Sequence, residues 1–342
     1  MNHGVMEDAM SERATNISWF WVKVTGTVLV TFSMAMCGGA EPPVEDAIVE
    51  SSLVEPDVST LTPEATDEDI MQHMLWVMEN QTISTELTQH FPDIDRARAY
   101  DIQRLRLEHR EQTEARVGWK IGWSNQPNPR VAIDPVFGHI MASNVLEPGR
   151  EVSLDHLIDG STGLEAEVVF WLDKDLPGPT VTRDDVLEAT AEVAAVVELI
   201  KPRVAAYNSE SLAVPAGGEQ PISDWPNRHN HGIIDNVWHI GVIFGSNRVG
   251  VDEVDLMNER VSIAVNDETI EEGRFAWTMG RDPIQGVVWL ANELLKYGYQ
   301  LNAGDFVITG SVAYTESVFP GDRATLTYSS LGAIDMSVAS TP

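Results

Sequence analysis

The run Gly163–Leu172, GLEAEVVFWL, limits the fold more than any other stretch of the chain. Its β-branched and aromatic content reads as a strand, and residues two apart in a strand share a face. Glu165 and Glu167 therefore point the same way, with Val169 beyond them. Leu164, Ala166, Val168 and Phe170 point to the other side. Two carboxylates this close repel, and burying them unpaired costs several kcal/mol. The fold must answer them with solvent, basic partners or a cation. A third acid, Glu198, stands near the end of AEVAAVVELI, a run otherwise apolar back to Val193. Three carboxylates projecting from apolar stretches suit a hard divalent cation such as Mg²⁺ or Mn²⁺. The competing reading puts Glu165 and Glu167 on the wet face of an edge strand and pairs Glu198 with Lys201 or Arg203; spacing alone leaves both open.

From Val117 onward, short β-rich runs bounded by Gly, Asn, Asp and Pro dominate: VGWKIGW, EAEVVFWL, AAVVELI, VWHIGVIFG, VSIAVND and DFVITGSV. Two helices interrupt them. One starts at the capping box Thr182–Asp185 and is expected to run through Val193. The other has Asp282 as N-cap, Pro283 at its first position and Gly298 just past its end, with a stripe of Ile284, Val287, Val288, Ala291, Leu294 and Leu295. Upstream, Thr66 and Asp69 form a capping box ahead of Ile70, Met71, Met74, Leu75 and Met78, and Asp93 is the expected N-cap of a second helix. The pattern is α+β: a helical part over 66–116, then a strand-rich domain over 117–342.

The chain's 342 residues carry a formal net charge of −31, which argues against nucleic acid and anionic lipid as partners. With one cysteine, Cys37, no disulfide forms within the chain. Residues 1–36 read as an export signal: Arg13 and Lys23 flank an uncharged run, Val24 to Met36, that is short for a bilayer span. MAMCGGAEPP resembles a bacterial lipobox, so Cys37 is the expected lipidation site and the chain an exported, membrane-tethered lipoprotein; an uncleaved anchor or a cytoplasmic location is the alternative. Residues 37–65 are acidic, Pro-bearing and free of Lys and Arg, as expected of a disordered tether. His229 and His231 in NRHNHG could bind zinc, but no cysteine supports them, and a polar loop is the preferred reading.

VGWKIGW, PVFG, LEAEVVFWL, VVELI, DNVWHIGVIFG, GRDPIQGVVWLANELLKYGYQLNAGDFVITGSV and PGDRATLTYSSLG occur in the order seen in the 2-keto-4-pentenoate hydratases. Those, with the 4-oxalocrotonate decarboxylases, belong to the fumarylacetoacetate hydrolase superfamily, and the resemblance runs from about Asp67 to near the C-terminus. It implies a mixed β-sheet rolled into a barrel-like core with outer helices, and a homo-oligomer. It implies that Glu165, Glu167 and Glu198 hold one Mg²⁺ or Mn²⁺, which grips the carboxylate and 2-oxo group of a 2-oxo acid. Lys120 then lies in the pocket and assists binding or proton transfer, with Ser311 and Asn236 near the substrate. The implied reaction is hydration of a 2-hydroxydienoate, with decarboxylation or C–C hydrolysis as relatives' alternatives. One departure stands out: Val136 occupies the place of an acid in the hydratase pattern P-D-[YF]-G, and Asp134, two residues earlier, is the candidate to replace it. That departure keeps open a tethered binding protein that retained the metal and lost turnover.

Overall fold

A computed structural model describes residues 58–124, 134–149, 151–155, 157–204 and 225–340. The apolar run, Cys37 and most of the acidic tether lie outside these residues. Three helices lead the described chain. Helix α1, Asp67–Glu79, is closed by the reciprocal Thr66–Asp69 capping box read from the sequence. A short α2, Glu86–His90, precedes α3, Arg96–Arg110. The cap of α3 is Asp95 rather than Asp93: its carboxylate accepts from Arg98 N, the third helical position, which Asp93 lies too far upstream to reach.

The first sheet has seven strands: β1 Arg116–Gly122, β2 Val136–Met141, β3 Thr162–Leu172, β4 Thr190–Ile200, β5 His239–Phe244, β8 Phe306–Ile308 and β9 Ala313–Val318. Their order is β2-β1-β8-β3-β4-β5, with β9 also on β3. The β1–β8 pair is parallel and the other pairs are antiparallel, so the sheet is mixed. It curls into a half-barrel whose ends approach one another. Beyond β2, Val145 bridges Val242 on β5, Leu146 N donates to Val242 O, and Asn144 Nδ2 donates to Ile240 O. A four-stranded antiparallel sheet, β11-β10-β6-β7, is built from β6 Arg260–Val265, β7 Glu268–Arg274, β10 Arg323–Tyr328 and β11 Gly332–Ser337.

Alternation along β3 splits the core in two. Leu164, Ala166, Val168 and Phe170 join the large apolar cluster shared with the helices and the second sheet. Val169 joins a small cluster drawn from strands, with Ile140, Ala194, Val196, Val242, Phe306 and Ile308, so this face packs on itself across the curl. Helix α4, Arg183–Ala189, keeps the Thr182–Asp185 capping box but stops at Ala189, and β4 begins at once. The sequence expectation of helix through Val193 fails because Thr190, Glu192 and Val193 pair with Leu172, Trp171 and Phe170 of β3 as the start of a long strand, and tertiary pairing overrides local helical propensity. The stretch NRHNHG is likewise not a loop: it lies in α5, Trp225–Ile234. The last helix, α6, Pro283–Leu294, has the predicted Asp282 cap and Pro283 start, and a 3-10 turn carries it to Gly298 in the left-handed region. Its buried face includes Leu290, whereas Leu295 is exposed.

Candidate metal centre

The acid-bearing strands stand side by side. Glu165 on β3 pairs directly with Glu198 on β4, and Glu167 pairs with Val196. Ligand atoms of Glu165, Glu167 and Glu198 lie within 4.8 Å of one another. Glu167 and Glu198 have no exposed surface and Glu165 is half-buried, so the wet-edge reading of the sequence does not hold.

Each carboxylate is held from behind. Glu167 Oε2 accepts the backbone N–H of Gly310 at 2.7 Å. Gly310 has φ +93°, and a Cβ there would stand 1.8 Å from Ser124 Oγ, so only glycine brings this N–H to the acid. Glu198 Oε1 receives Lys120 Nζ at 2.5 Å and His239 Nδ1 at 2.7 Å. Lys120 Nζ also donates to Val237 O at 2.9 Å. That carbonyl is presented by a turn in which Asn236, Val237 and Trp238 all have φ between 51° and 64°. A β-branched residue in this region is strained by about 1–3 kcal/mol, a feature that clusters at functional sites. Tyr328, from the second sheet, directs its hydroxyl at Glu167 O (3.0 Å) and Val196 O (2.8 Å), bracing the two strands at that very pair.

Among the described residues, Glu167 Oε1 and Glu198 Oε2 are buried without a hydrogen-bond partner. Burial pushes the Glu165 carboxyl up to about 7, with Lys120 opposing and Glu198 adding to the shift. Burial, with Glu198 and Glu165 nearby, pushes Glu167 well above the usual carboxylate range, and burial also raises Glu198 against the pull of Lys120. Burial alone would lower the Lys120 ammonium, but Glu198, Glu165 and Glu167 outweigh it and hold it above its ordinary value. Fully ionised, three carboxylates against one ammonium would leave two negative charges in a buried site, a charge that protons or a cation must offset. Oxygen-only ligands, two orphaned acceptors and that charge fit a hard divalent cation.

The other sequence candidates fall elsewhere. Asn236 is buried beside β2, where its side chain accepts from His139 N and donates to His139 O, both at 2.9 Å, bracing that strand. Ser311 is half-buried and donates to Ala313 O at 2.7 Å, so its neighbour Gly310 makes the contact with Glu167. Asp134 is exposed, and Val136 is fully buried against Gly122. His231 engages Phe91 O at 2.9 Å, and His229 packs edge-on against Trp123; among the described residues the three glutamates form the one acid or histidine cluster of metal-binding geometry. Sequence reasoning missed His239, Gly310 and Tyr328. The first had a legible signal, a lone polar side chain heading the strand VWHIGVIFG; the other two act through long-range contacts that no local pattern encodes.

Fold and site together define a half-barrel protein with a buried three-carboxylate divalent-metal centre and an adjoining lysine. No family model matches the chain. The 2-hydroxyhexa-2,4-dienoate hydratase of Comamonas testosteroni is 30% identical over 249 residues, 72% of this chain and 87% of that protein. The 2-oxo-hept-4-ene-1,7-dioate hydratase of Escherichia coli is also 30% identical over 249 residues, 71% of this chain and 87% of its own. Among solved structures, the 4-oxalocrotonate decarboxylase of Pseudomonas putida G7, complexed with magnesium and adipate, superimposes with a TM-score of 0.69 at 27% identity, over 82% of this chain and 99% of that one. The chain belongs to the family of 2-keto-4-pentenoate hydratases and 4-oxalocrotonate decarboxylases.

Proposed function

We propose that this protein is a metal-dependent lyase acting on 2-oxo acids, hydrating a 2-hydroxydienoate to a 4-hydroxy-2-oxo acid. The observation that carries the reading is the convergence of Glu165, Glu167 and Glu198 beside Lys120. These three residues would hold Mg²⁺ or Mn²⁺, which when bound supplies a Lewis acid for the carboxylate and 2-oxo group of the substrate. The protein's own groups do the rest. Gly310 N–H and the Lys120–His239 pair fix which oxygen of Glu167 and of Glu198 turns toward the site. Lys120 has three N–H donors and commits two of them, to Glu198 and Val237 O, which leaves one proton at Nζ for a substrate oxygen or carbon. With its ammonium held charged, Lys120 also offsets the repulsion that an anionic substrate meets on a chain of net charge −31.

Val136 favours a second reading within the same chemistry. Hydration needs a group to orient water, and a fully buried valine stands where the hydratase pattern has an acid. Decarboxylation uses the same enolisation without that group. One experiment separates the readings: the purified protein with Mg²⁺ or Mn²⁺ is given 2-hydroxypenta-2,4-dienoate and 4-oxalocrotonate, and the loss of dienol absorbance and the products are followed. Because ketonisation is partly spontaneous, enzyme-dependent acceleration is what counts. Acceleration with a 4-hydroxy-2-oxo product supports hydration, and CO₂ release supports decarboxylation. No acceleration with metal bound contradicts both and favours a binding protein. We also propose, from the sequence, that Cys37 carries a lipid and that the chain assembles as a homo-oligomer. Mass spectrometry of membrane-extracted protein and light scattering test these; a mature chain starting elsewhere, or a monomer, contradicts them.

A further inference from the structure

A second polar centre lies where the two ends of the half-barrel meet. A cavity of about 110 Å³ opens there, between α1, α3 and the starts of β5 and of the segment after β4. Four of the chain's 22 lysines and arginines line it: Arg106, Arg110, Lys201 and Arg203. In a chain of net charge −31, so many cations around one small cavity need a reason. Structural pairing accounts for part of it. Arg203 Nε donates to Asp235 at 2.6 Å and Arg110 Nη2 to Glu114 at 2.5 Å, while Lys201 reaches Ser161 Oγ at 2.6 Å.

Arg106 is not accounted for. It is 2% exposed; among the described residues its Nε and Nη1 have no hydrogen-bond acceptor, and the carboxylate that approaches it, Asp235, stands 3.9 Å from Nη1 while already committed to Arg203. Its Nη2 rests on the sulfur of Met78, which also lines the cavity. A thioether is a weak acceptor on a flexible side chain, and an oxyanion would displace it readily. Burial, with Arg203 alongside, pulls the guanidinium down to about 9, and since a guanidinium keeps its proton at ordinary pH, the demand falls on a counter-anion. Buried His239, which also lines the cavity, leaves its Nε2 without a hydrogen-bond partner among the described residues. His239 both lines the cavity and holds Glu198 through Nδ1, so the cavity abuts the carboxylate cluster without containing it. For scale, an apolar cavity of roughly 150 Å³ admits benzene, so this one takes a group of carboxylate or phosphate size.

We propose that this cavity is a binding site for a small oxyanion, a carboxylate or phosphate, seated on Arg106 in place of the Met78 sulfur, with Lys201 and Arg110 at its rim. The site stands apart from the metal centre and does not depend on the proposed reaction. The oxyanion could arrive free or as the far carboxylate of a dicarboxylic 2-oxo acid; both present the same chemistry to Arg106.

The test uses the 342-residue chain, stripped of metal by chelator, titrated with acetate, inorganic phosphate and chloride by calorimetry and thermal shift. Saturable binding of acetate or phosphate is expected, with chloride much weaker. Arg106→Met should weaken it by about tenfold or more, since a buried charge-assisted bond is lost. Should that variant fail to fold, Lys201→Gln at the rim is expected to weaken binding severalfold in a folded protein. Retention of metal binding by Lys201→Gln shows that the two centres are separate. No saturable binding of either oxyanion, binding unchanged in Lys201→Gln and Arg106→Met, or binding only when metal is present would each overturn the proposal. A competition arm identifies the source and supports the site either way: displacement of acetate by 2-oxoadipate in the Mg²⁺-loaded protein assigns the far carboxylate of a substrate, and persistence beside it assigns a free anion.

Discussion

Two ends of one strand face differ sharply. On β3, Val169 and Glu167 are neighbours on the same side, yet Val169 sits in a wholly apolar cluster and Glu167 in a knot of carboxylates. The apolar end closes with aromatics: Phe244 packs edge-on against both Trp171 and Phe306, with ring centroids 5.0 Å apart in each pair. The acid end is held by a backbone N–H, a lysine, a histidine and a strained turn, and it keeps two orphaned oxygens. One end stabilises the half-barrel by burial; the other is costly until a cation arrives. Stability and chemistry are thus separated by two residues, and the pleat keeps them on the same wall.

The separation can be broken from either side. Phe306→Ala, at the apolar end, is expected to lower stability in urea by about 3–5 kcal/mol while the folded variant binds Mg²⁺ as before. A parallel loss of metal affinity would show that the ends are coupled. Glu167→Gln should do the opposite: Mg²⁺ affinity falls about 100-fold or more, near 2.7 kcal/mol, while the metal-free protein is no less stable, because a neutral amide replaces an acid whose ionised form burial and its neighbours disfavour, and Gly310 N–H keeps an acceptor. Lower metal-free stability would contradict this.

The shifted carboxyls sharpen the same contrast with pH. Glu165 is raised in the folded chain to about 7 from 4.5. A raised acid contributes stability that is complete below its unfolded value and is lost as pH climbs through the folded one, so the metal-free protein weakens across that window. A cation must displace the proton, so its affinity rises over the same range. The thermal shift caused by Mg²⁺ should therefore grow between about pH 6 and 8. A shift independent of pH would place the ion elsewhere. The smallest effect is expected at Tyr328→Phe, about 1 kcal/mol by unfolding, from loss of one hydroxyl bridging Glu167 O and Val196 O.

What the sequence made legible follows the range of the interactions. Period two in GLEAEVVFWL puts Glu165 and Glu167 on one face, and the antiparallel register then sets Glu198 opposite Glu165. Caps at Thr66, Thr182 and Asp282 were readable because a cap is a contact three residues long. The end of α4 was not, since the choice between helix and strand at Thr190 is made by β3. The contacts of Asn236 were not legible for a related reason: the left-handed turn that carries it points its amide at His139 and offers the carbonyl of Val237 to Lys120. The cationic cavity went unseen because Arg106, Lys201 and Arg203 meet only across the seam of the curled sheet.

The central claim is that Glu165, Glu167 and Glu198 bind one divalent ion between them. Titration of Mn²⁺ into metal-free protein, read by the loss of its free electron-spin-resonance signal, tests it most directly. The account predicts a single site per chain that Glu165→Gln and Glu198→Gln each weaken severely. No tight site, or a site indifferent to both substitutions, would contradict it.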